Sequence, residues 1–317
     1  MPFKTILLND GHEIPSIAYG TGSKWKGHDV TEYVEQAIDV GFSHLDTAQF
    51  YKTEAYVGTA IKESALSRKD LFITTKYGYS KEFGFPFGVR EAATQSLDQL
   101  GLEYVDLYLI HNPKTIPNQD IESTWKEFEK LKEEGLARSI GVSNFGVEDL
   151  QKLIKTAKIK PAVNQASPFF TAHLIELHPY NYHEQRAAIE YGAKHGIVIE
   201  AYSSLVPITR QPGGPVDAPV AAAAKRIGAS PTQVIFLWAI AKGAIIVTTS
   251  STKSHLEEYL ATADLPPLTE DEIAAIDAAG AKGPPTKNRV WFEYARLLLV
   301  LVVILLPLYQ LLRSTYI

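Results

Sequence analysis

The chain has 317 residues, and 45% hydrophobic with 21% charged residues is the composition of a soluble globular protein with one large domain or two ordinary ones. Its net charge of −5 and the absence of any block of like charges give no reason to expect a nucleic-acid partner. Because the sequence contains no cysteine, disulfide bonds, cysteine-ligated zinc and thiolate catalysis are excluded. The N-terminus lacks the apolar run of a signal peptide, so we expect the bulk of the chain in the cytosol.

The first elements in chain order are two short runs, residues 5–8 and 12–14, around Asp10 and Gly11, a pair typical of a β-hairpin turn. Short apolar runs then alternate with helical patterns, which predicts βαβ units and a parallel sheet. The predicted strands of this sheet are residues 16–20, 43–46, 71–75, 105–110, 139–142, 162–164, 198–201 and 244–247. Eight parallel strands close a barrel, so the sequence predicts an (α/β)8 TIM barrel with a hairpin across its floor.

The helical patterns between these strands are mostly followed by glycine, the usual residue after a helix. The predicted helices are residues 30–40, 53–63, 89–100, 121–134, 147–155, 182–195, 231–241 and a last helix at 269–279, where Thr269 and Glu272 have capping-box spacing. Residues 205–219 are too rich in proline and glycine for regular structure and predict a functional loop after strand seven.

The C-terminus departs from the rest of the chain because residues 297–312 are apolar all round apart from Gln310. As a helix they would span roughly 24 Å, a little less than the roughly 27 Å of an endoplasmic reticulum bilayer. We predict a barrel at residues 1–283, a linker at 284–296, a transmembrane helix at 297–312 and a short tail at 313–317. The alternative is a last helix buried against the barrel, which a stretch this short leaves open.

Polar residues collect at the predicted C-terminal ends of strands, where barrel enzymes build their sites. Asp46 ends the second strand, Tyr51 lies on the following loop, Lys76 follows the third strand and His111 the fourth. Each alone has a structural interpretation, as a helix cap, a packing residue, a solvated strand end or a core imidazole. Four such residues on one rim favour a catalytic site.

Together these side chains can make a phenol that donates a proton. A free tyrosine has a pKa of about 10, and a nearby ammonium lowers it, so we expect Lys76 to lower the pKa of Tyr51. Asp46 would keep Lys76 charged through an ion pair. A neutral His111 would orient a substrate oxygen while Tyr51 delivers the proton.

This constellation resembles the Asp, Tyr, Lys and His tetrad of the aldo-keto reductase superfamily, and in particular its fungal NADPH-dependent carbonyl and keto-amide reductases. The resemblance runs to about Gly280 and includes the motifs LNDGHEIPSIAYGTG, HLDTAQFY, LFITTKY, VDLYLIHNP, SIGVSNFG and NQ. It implies an (α/β)8 barrel that binds NADPH, with NADH as the alternative, without a Rossmann fold. The absence of a GxGxxG turn between a strand and a helix agrees with this expectation.

The resemblance also implies which residues contact the cofactor. Ser143, Asn144 and Gln165 match the residues that hold the nicotinamide amide, and Tyr202 matches the aromatic residue that stacks on the ring. The remaining cofactor contacts that it implies are Thr21, Gly22, Ser203, Leu205, Thr248, Thr249, Ser250, Ser251, His255 and Glu258. At the adenosine end Thr249 and His255 replace the usual Lys and Arg, so hydroxyl groups and Lys253 would have to bind the 2′-phosphate.

The substrate pocket departs from the family as well. Asn112 and Gly78 stand where many aldose-reducing relatives carry tryptophan, which predicts a wider and more polar mouth for bulky or conjugated carbonyls. Trp25, Tyr77 and Asn112 are the predicted substrate contacts, with surface packing an equal alternative for Trp25.

The leading interpretation is a monomeric NADPH-dependent carbonyl reductase, anchored by its C-terminal helix with the barrel in the cytosol. The endoplasmic reticulum is the first choice of membrane and the mitochondrial outer membrane the second. One alternative is a nucleotide-binding accessory or sensor subunit of a membrane complex. Another is a metal-dependent barrel hydrolase, which the sequence does not favour because its nine histidines show no ligand spacing at strand ends. We expect His173, His178 and His183 on an exposed connecting segment, and we predict no metal site.

Overall fold

The alternation of buried strands with helices builds a closed barrel in the computed structural model. The structure describes residues 3–22, 25–78, 84, 88–165 and 177–285. Within these residues the strands are β1 Thr5–Leu7, β2 Glu13–Pro15, β3 Ile17–Gly20, β4 His44–Asp46, β5 Phe72–Tyr77, β6 Val105–Ile110, β7 Ala137–Ser143, β8 Val163–Gln165, β9 Val198–Tyr202 and β10 Ala244–Thr248. The helices are α1 Thr31–Val40, α2 Glu54–Glu63, α3 Val89–Leu100, α4 Ile121–Glu133, α5 Val147–Thr156, α6 Tyr182–Lys194, α7 Val206–Thr209, α8 Asp217–Ile227, α9 Pro231–Ala241, α10 Lys253–Ala261 and α11 Glu270–Gly280.

Strands β3 to β10 pair in parallel and close in the order β10-β3-β4-β5-β6-β7-β8-β9. The antiparallel hairpin β1–β2 supplies Leu8 and Ile14 to an apolar cluster with barrel residues such as Leu107, Val163 and Ile245. This confirms the predicted (α/β)8 barrel with its N-terminal hairpin. Because all barrel strands run in one direction, their C-terminal ends share one rim.

The helix ends follow from local sequence chemistry. Helix α11 begins with the predicted capping box, in which the Thr269 side chain accepts from Glu272 N at 3.2 Å and Glu272 accepts from Thr269 N at 2.9 Å. Helices α1 and α3 end at Gly41 and Gly101, whose φ values of 114° and 67° lie in the left-handed region. Such caps fix where each helix stops and the chain turns back toward the barrel.

Three helices were not predicted. The predicted irregular loop at residues 205–219 contains α7 and the start of α8, because Pro207 lies in the first turn of α7, where proline is compatible with a helix. The predicted phosphate-binding stretch follows β10, the eighth strand of the barrel, and continues into α10, which buries Leu256, Tyr259 and Leu260 on one face.

The position of Lys76 also differs from the prediction, because Lys76 lies within β5 rather than after it.

Contacts divide the chain into one unit of residues Met1–Gly283 and another of Pro284–Ile317. Within the residues that the structure describes, no helix combines the length and apolar character needed to cross a membrane. The predicted transmembrane helix at 297–312, the tail at 313–317 and all but two residues of the predicted linker lie outside the described residues.

Candidate active site

Neighbouring strands bring the four predicted catalytic residues to the C-terminal rim of the barrel. Asp46 is the last residue of β4, Lys76 lies in β5 and His111 directly follows β6. Tyr51 ends a short 3₁₀ turn, Gln49–Tyr51, that follows β4. The parallel pairing of β4 with β5 and of β5 with β6 therefore sets their side chains side by side.

Lys76 and Asp46 form a fully buried ion pair. The Lys76 Nζ donates to Asp46 Oδ1 at 2.6 Å, to Oδ2 at 2.7 Å and to the Thr47 carbonyl at 2.9 Å. Burial acts to lower the pKa of Lys76, but the Asp46 carboxylate and the Tyr51 hydroxyl raise it, and the net shift is upward. Lys76 thus remains an ammonium group beneath the rim.

Tyr51 lies directly above this ammonium group, with Lys76 Nζ 5.1 Å from the centre of its ring. As expected, Lys76 acts to lower the pKa of Tyr51, but the net shift is upward. Burial raises the pKa, the charge of Lys76 acts to lower it, and burial prevails. Tyr51 therefore keeps its proton at neutral pH, and Lys76 is placed to stabilise a phenolate once that proton leaves.

His111 approaches the other side of the Tyr51 ring, edge to face, with ring centres 5.4 Å apart. Burial and the charges of Lys76 and Lys26 lower the pKa of His111 to about 3. The imidazole is therefore neutral over the working pH range and has one N–H to donate and one nitrogen that accepts. A carbonyl oxygen placed between His111 and Tyr51 would meet two hydrogen-bond donors.

Ser143, Asn144 and Gln165 form a connected polar group beside His111. The Ser143 hydroxyl donates to the Gln165 carbonyl at 3.0 Å, and the Asn144 amide group donates to Ser143 Oγ at 2.9 Å and to the His111 carbonyl. Asn144 holds a φ of 66°, which asparagine tolerates better than most residues. Strands β7 and β8 thus bring together the three residues predicted to hold a carboxamide.

Gln165 also connects the catalytic ion pair to a residue that the sequence did not single out. Its Nε2 donates to Asp46 Oδ2 at 2.9 Å and to Glu200 Oε2 at 2.9 Å, so both amide hydrogens are used. The side chain is left with its oxygen, an acceptor, for a ligand amide. Glu200 is fully buried, its Oε1 has no hydrogen-bond partner among the described residues, and burial with the charge of Asp46 raises its pKa to about 8.

Three predicted cofactor contacts lie at the end of β9 and directly after it. Tyr202 is the last residue of β9 and is half-buried, Ser203 has a φ of 57°, and Leu205 precedes the first turn of α7. The left-handed conformation of Ser203 turns the chain sharply from the strand into α7. Tyr202 thus lies at the rim, at the start of the helical segment that sequence reasoning expected to be a loop.

The predicted phosphate-binding residues lie between the end of β10 and the start of α10. Thr248 ends the strand, the Ser250 carbonyl accepts from Tyr19 Oη at 3.1 Å, and Ser250 Oγ lies 3.4 Å from His255 Nδ1. Thr249, Ser251 and Lys253 lie in the same turn, so hydroxyl groups and an exposed lysine surround a helix N-terminus, which is suited to an anion. Glu258 accepts instead from the Ser230 hydroxyl at the start of α9.

Thr21 and Gly22 follow β3 and lie next to the catalytic turn. Thr21 is buried, and its hydroxyl lies 3.0 Å from the hydroxyls of Thr47 and Thr53, so it supports the loop that carries Asp46. A β-carbon added at Gly22 would lie 2.5 Å from Cζ of Tyr51 and 2.9 Å from its hydroxyl. The absence of a side chain at Gly22 therefore leaves the space that the Tyr51 ring occupies.

The three predicted substrate contacts occupy different environments. Tyr77 is fully buried and packs against Phe128 of α4, and successive residues of a strand alternate between its faces, so Tyr77 and Lys76 lie on opposite faces of β5; its predicted substrate contact stays a prediction. Trp25 packs against Tyr33 with ring centres 4.9 Å apart. Asn112 is half-buried, and its side-chain oxygen accepts from Lys114 N at 2.8 Å. A β-carbon added at Gly78 would lie 3.5 Å from Cβ of His111.

Two further residues qualify the sequence-based expectations. Lys26, which the sequence did not single out, extends its ammonium group to 4.9 Å from the centre of the Tyr51 ring. His178 is buried rather than exposed, whereas His183 is exposed as expected and His173 lies outside the described residues.

No trio of histidine and carboxylate side chains in the described part of the chain is arranged to bind a metal ion.

Comparisons with known proteins agree with this geometry. A model described as the aldo/keto reductase family matches residues 16–209. The NAD/NADP-dependent indole-3-acetaldehyde reductase of Schizosaccharomyces pombe is 36% identical over 296 residues, covering 90% of this chain and 97% of the relative. The NADPH-dependent alpha-keto amide reductase of Saccharomyces cerevisiae is 32% identical over 310 residues, covering 90% and 95%.

Solved structures show the same similarity. An aldo-keto reductase of Bombyx mori in complex with NADP has a TM-score of 0.73 at 31% identity, covering 87% of this chain and 92% of that chain. An aldo/keto reductase of Brucella melitensis has a TM-score of 0.73 at 35% identity, covering 87% and 99%. The chain therefore belongs to the aldo/keto reductase family, and it is an oxidoreductase of carbonyl groups.

Proposed function

We propose that this protein reduces bulky or conjugated aldehydes and ketones to alcohols with NADPH, and that Tyr51 is the general acid. The observation that carries the proposal is the position of the Tyr51 phenol between a buried ammonium group and a neutral imidazole. Lys76 lies 5.1 Å below its ring, and the His111 ring centre lies 5.4 Å away. This arrangement holds a proton until a carbonyl oxygen gains electron density, and then stabilises the anion that is left.

The polar residues of the rim fit a nicotinamide cofactor, which supplies a hydride when bound. Asn144, Ser143 and Gln165 offer oxygen acceptors to its carboxamide, because their own side-chain hydrogens are bonded within the site. Tyr202 offers an aromatic face at the end of β9. The relatives whose names include NADP or NADPH support the same cofactor here.

The chain's own residues then carry the proton. Tyr51 donates its proton to the carbonyl oxygen, and the N–H of neutral His111 holds that oxygen in place. Lys76, kept charged by Asp46, stabilises the Tyr51 phenolate until solvent returns a proton. Gly78 and Asn112, which stand where many aldose-reducing relatives carry tryptophan, support a substrate larger than a simple aldose.

The test is turnover of a panel of aromatic ketones and diketones, measured as NADPH oxidation, in wild type and in Tyr51→Phe. We expect Tyr51→Phe to lose at least about 100-fold in kcat, since general acid catalysis is typically worth about 10²–10⁴-fold. Its NADPH affinity, measured by quenching of tryptophan fluorescence, should be unchanged, and Lys76→Met should resemble it. Tyr56→Phe in α2 is the matched control, and residual activity above about one per cent in Tyr51→Phe would exclude Tyr51 as the acid.

We propose further that NADPH is preferred to NADH. Support comes from the hydroxyls of Thr248, Thr249, Ser250 and Ser251 with Lys253 at the N-terminus of α10, a place where an anion is favoured. The ratio of kcat/KM for the two cofactors tests this, and a preference for NADH would show that the phosphate site is missing. Thr249→Lys should strengthen NADPH binding by about 1–3 kcal/mol through a charge-assisted hydrogen bond.

We also propose that the apolar segment 297–312 anchors the barrel to a membrane, first of all the endoplasmic reticulum. The support is its sequence, in which only Gln310 is strongly polar. Truncation after Lys282 should leave a soluble enzyme with nearly unchanged kcat/KM, whereas the full chain should resist carbonate extraction from membranes. Full-length protein in the soluble fraction, or an inactive truncation, would contradict an anchor.

The accessory-subunit alternative is not favoured, because all four tetrad residues are present and adjacent.

A further inference from the structure

Lys26 is a cation of the site rim that the proposed mechanism does not use. Its Nζ lies 4.9 Å from the centre of the Tyr51 ring and 5.6 Å from that of Phe50, and its side chain is half-buried. The next residue, Gly27, donates its N–H to the Tyr51 carbonyl at 2.8 Å. The backbone thus holds the segment that carries Lys26 next to the Tyr51 turn.

Among the described residues, Lys26 has no carboxylate partner of the kind that Lys76 and Lys132 have. Lys76 pairs with Asp46 and Lys132 with Asp10, but within the described residues no carboxylate bonds to Lys26. Among the described residues, the groups that face it are the rings of Phe50 and Tyr51, the ammonium of Lys76 and the neutral His111. Burial and the charge of Lys76 lower the pKa of Lys26, so its charge is penalised until an anion binds.

The position of the Lys26 ammonium group relative to Tyr51 and His111 indicates which ligand it would bind. The substrate carbonyl oxygen must lie within hydrogen-bond distance of the Tyr51 hydroxyl and His111. A carboxylate bonded directly to the carbonyl carbon would then lie near the Tyr51 ring, whose centre is 4.9 Å from Lys26 Nζ. An exposed lysine would be a weaker determinant, because water screens its charge.

We infer that Lys26 is a specificity-determining residue that binds the carboxylate of a 2-oxo acid, so that the enzyme reduces 2-oxo acids to 2-hydroxy acids. The inference rests on the proposed function and names the substrate class of that same site. The carbonyl carbon accepts the hydride of NADPH, which becomes NADP⁺, and the carbonyl oxygen takes the proton of Tyr51. Solvent restores that proton, and the carboxylate is unchanged and remains paired with Lys26.

The test compares phenylglyoxylate with its methyl ester, which has the same ketone but no charge. Lys26→Met should lower kcat/KM for the acid by about 10-fold or more, mainly through KM, because a hydrogen bond to a charged group is lost. For the ester the change should be under about two-fold, with an unaltered pH profile of kcat. Lys26→Arg should restore part of the activity toward the acid, and Lys62→Met on exposed α2 should change neither substrate.

Three outcomes would overturn the inference. Equal losses for acid and ester would mean that Lys26 acts on Tyr51 rather than on a carboxylate. Weaker NADPH binding in Lys26→Met would mean that Lys26 serves the cofactor. Reduction of the ester by a wild-type enzyme that does not reduce the acid would reject the 2-oxo acid and leave the proposed function standing, whereas no reduction of any carbonyl would reject the proposed function itself.

Discussion

Position 22 admits only a hydrogen atom beside the catalytic ring. In Gly22→Ala the new β-carbon would lie 2.5 Å from Tyr51 Cζ and 2.6 Å from Cε2, with His111 against the same ring. The ring must shift, and a displacement of about 1 Å in a reacting group can cost about 100-fold in rate. We expect Gly22→Ala to lose about 10- to 100-fold in kcat while NADPH affinity changes little.

The control for this variant is Gly88→Ala, where the added β-carbon meets nothing closer than 3.8 Å and activity should be kept. A loss of NADPH affinity larger than the loss of kcat in Gly22→Ala would instead support the cofactor contact that the family resemblance implies.

Residues differ in how far the sequence revealed their roles. Asp46, Lys76 and His111 were predictable because polar groups at the ends of apolar strands are conspicuous. Glu200 is equally conspicuous within the strand VIEAY, but its partner Gln165 follows only from the register of β8 with β9, in which the two residues are paired. Lys26 stands in the run KWKG, where any lysine looks solvated, so no sequence signal distinguished it.

Helices α2 and α3 meet at Gly58, and α2 begins three residues after Tyr51. A β-carbon at Gly58 would lie 2.7 Å from the carbonyl oxygens of both Gln99 and Leu100, which are rigid backbone atoms. Helix propensity alone would make Gly58→Ala stabilising by about 1 kcal/mol. Because the two helices must instead separate, we expect it to destabilise the fold by about 1–3 kcal/mol.

Urea unfolding followed by circular dichroism measures this effect. Thr59→Ala, on the exposed face of the same helix, should change the free energy of unfolding by less than about 0.5 kcal/mol. If the Gly58→Ala protein were more stable than wild type, α2 and α3 would be able to move apart without any loss of packing energy.

Elements with a strong apolar period were predicted to within one or two residues, as α3 and α5 illustrate. The helices that were missed have physical reasons. Proline and glycine between 205 and 219 suggested irregular structure, yet Pro207 lies in the first turn of α7, where a helix tolerates proline. Helix α10 has only nine residues, too few for its period to stand out from the polar stretch before it.

At the scale of the whole molecule, Glu200 should make stability depend on pH. Burial and the charge of Asp46 raise its pKa from an ordinary value of 4.5 to about 8, so the folded chain binds a proton that the unfolded chain has released between these values. The stability that this protonation contributes is complete below about pH 4.5 and is lost as the pH rises through about 8. The Glu200→Gln side chain stays neutral at every pH. Its stability relative to wild type should therefore rise between roughly pH 6 and pH 9, a range that contains the folded-state pKa of about 8.

Urea unfolding at pH 6 and pH 9 separates this effect from other titrations, because only the difference between the two proteins is compared. The exposed Glu103→Gln should follow the wild type at both values. Parallel curves for Glu200→Gln and wild type would show that Glu200 is ionised at both pH values, or that it is not coupled to folding.

The barrel as a whole followed from counting strand patterns, because eight parallel strands have one common closed arrangement. The closure order and the hairpin beneath it agree with that count. The net pKa of Tyr51 could not be predicted in the same way, since it depends on how burial and the charge of Lys76 balance in three dimensions.

Asn144 restricts the evolutionary paths open to this site. Its φ of 66° suits glycine, asparagine and aspartate, while its amide donors hold Ser143 and the carbonyl of His111. Glycine would keep the backbone and lose the donors, aspartate would keep the backbone and offer acceptors in their place, and glutamine would keep the donors but strain the backbone. No single substitution meets both requirements, so we expect purifying selection at position 144 to be as strong as at a catalytic residue.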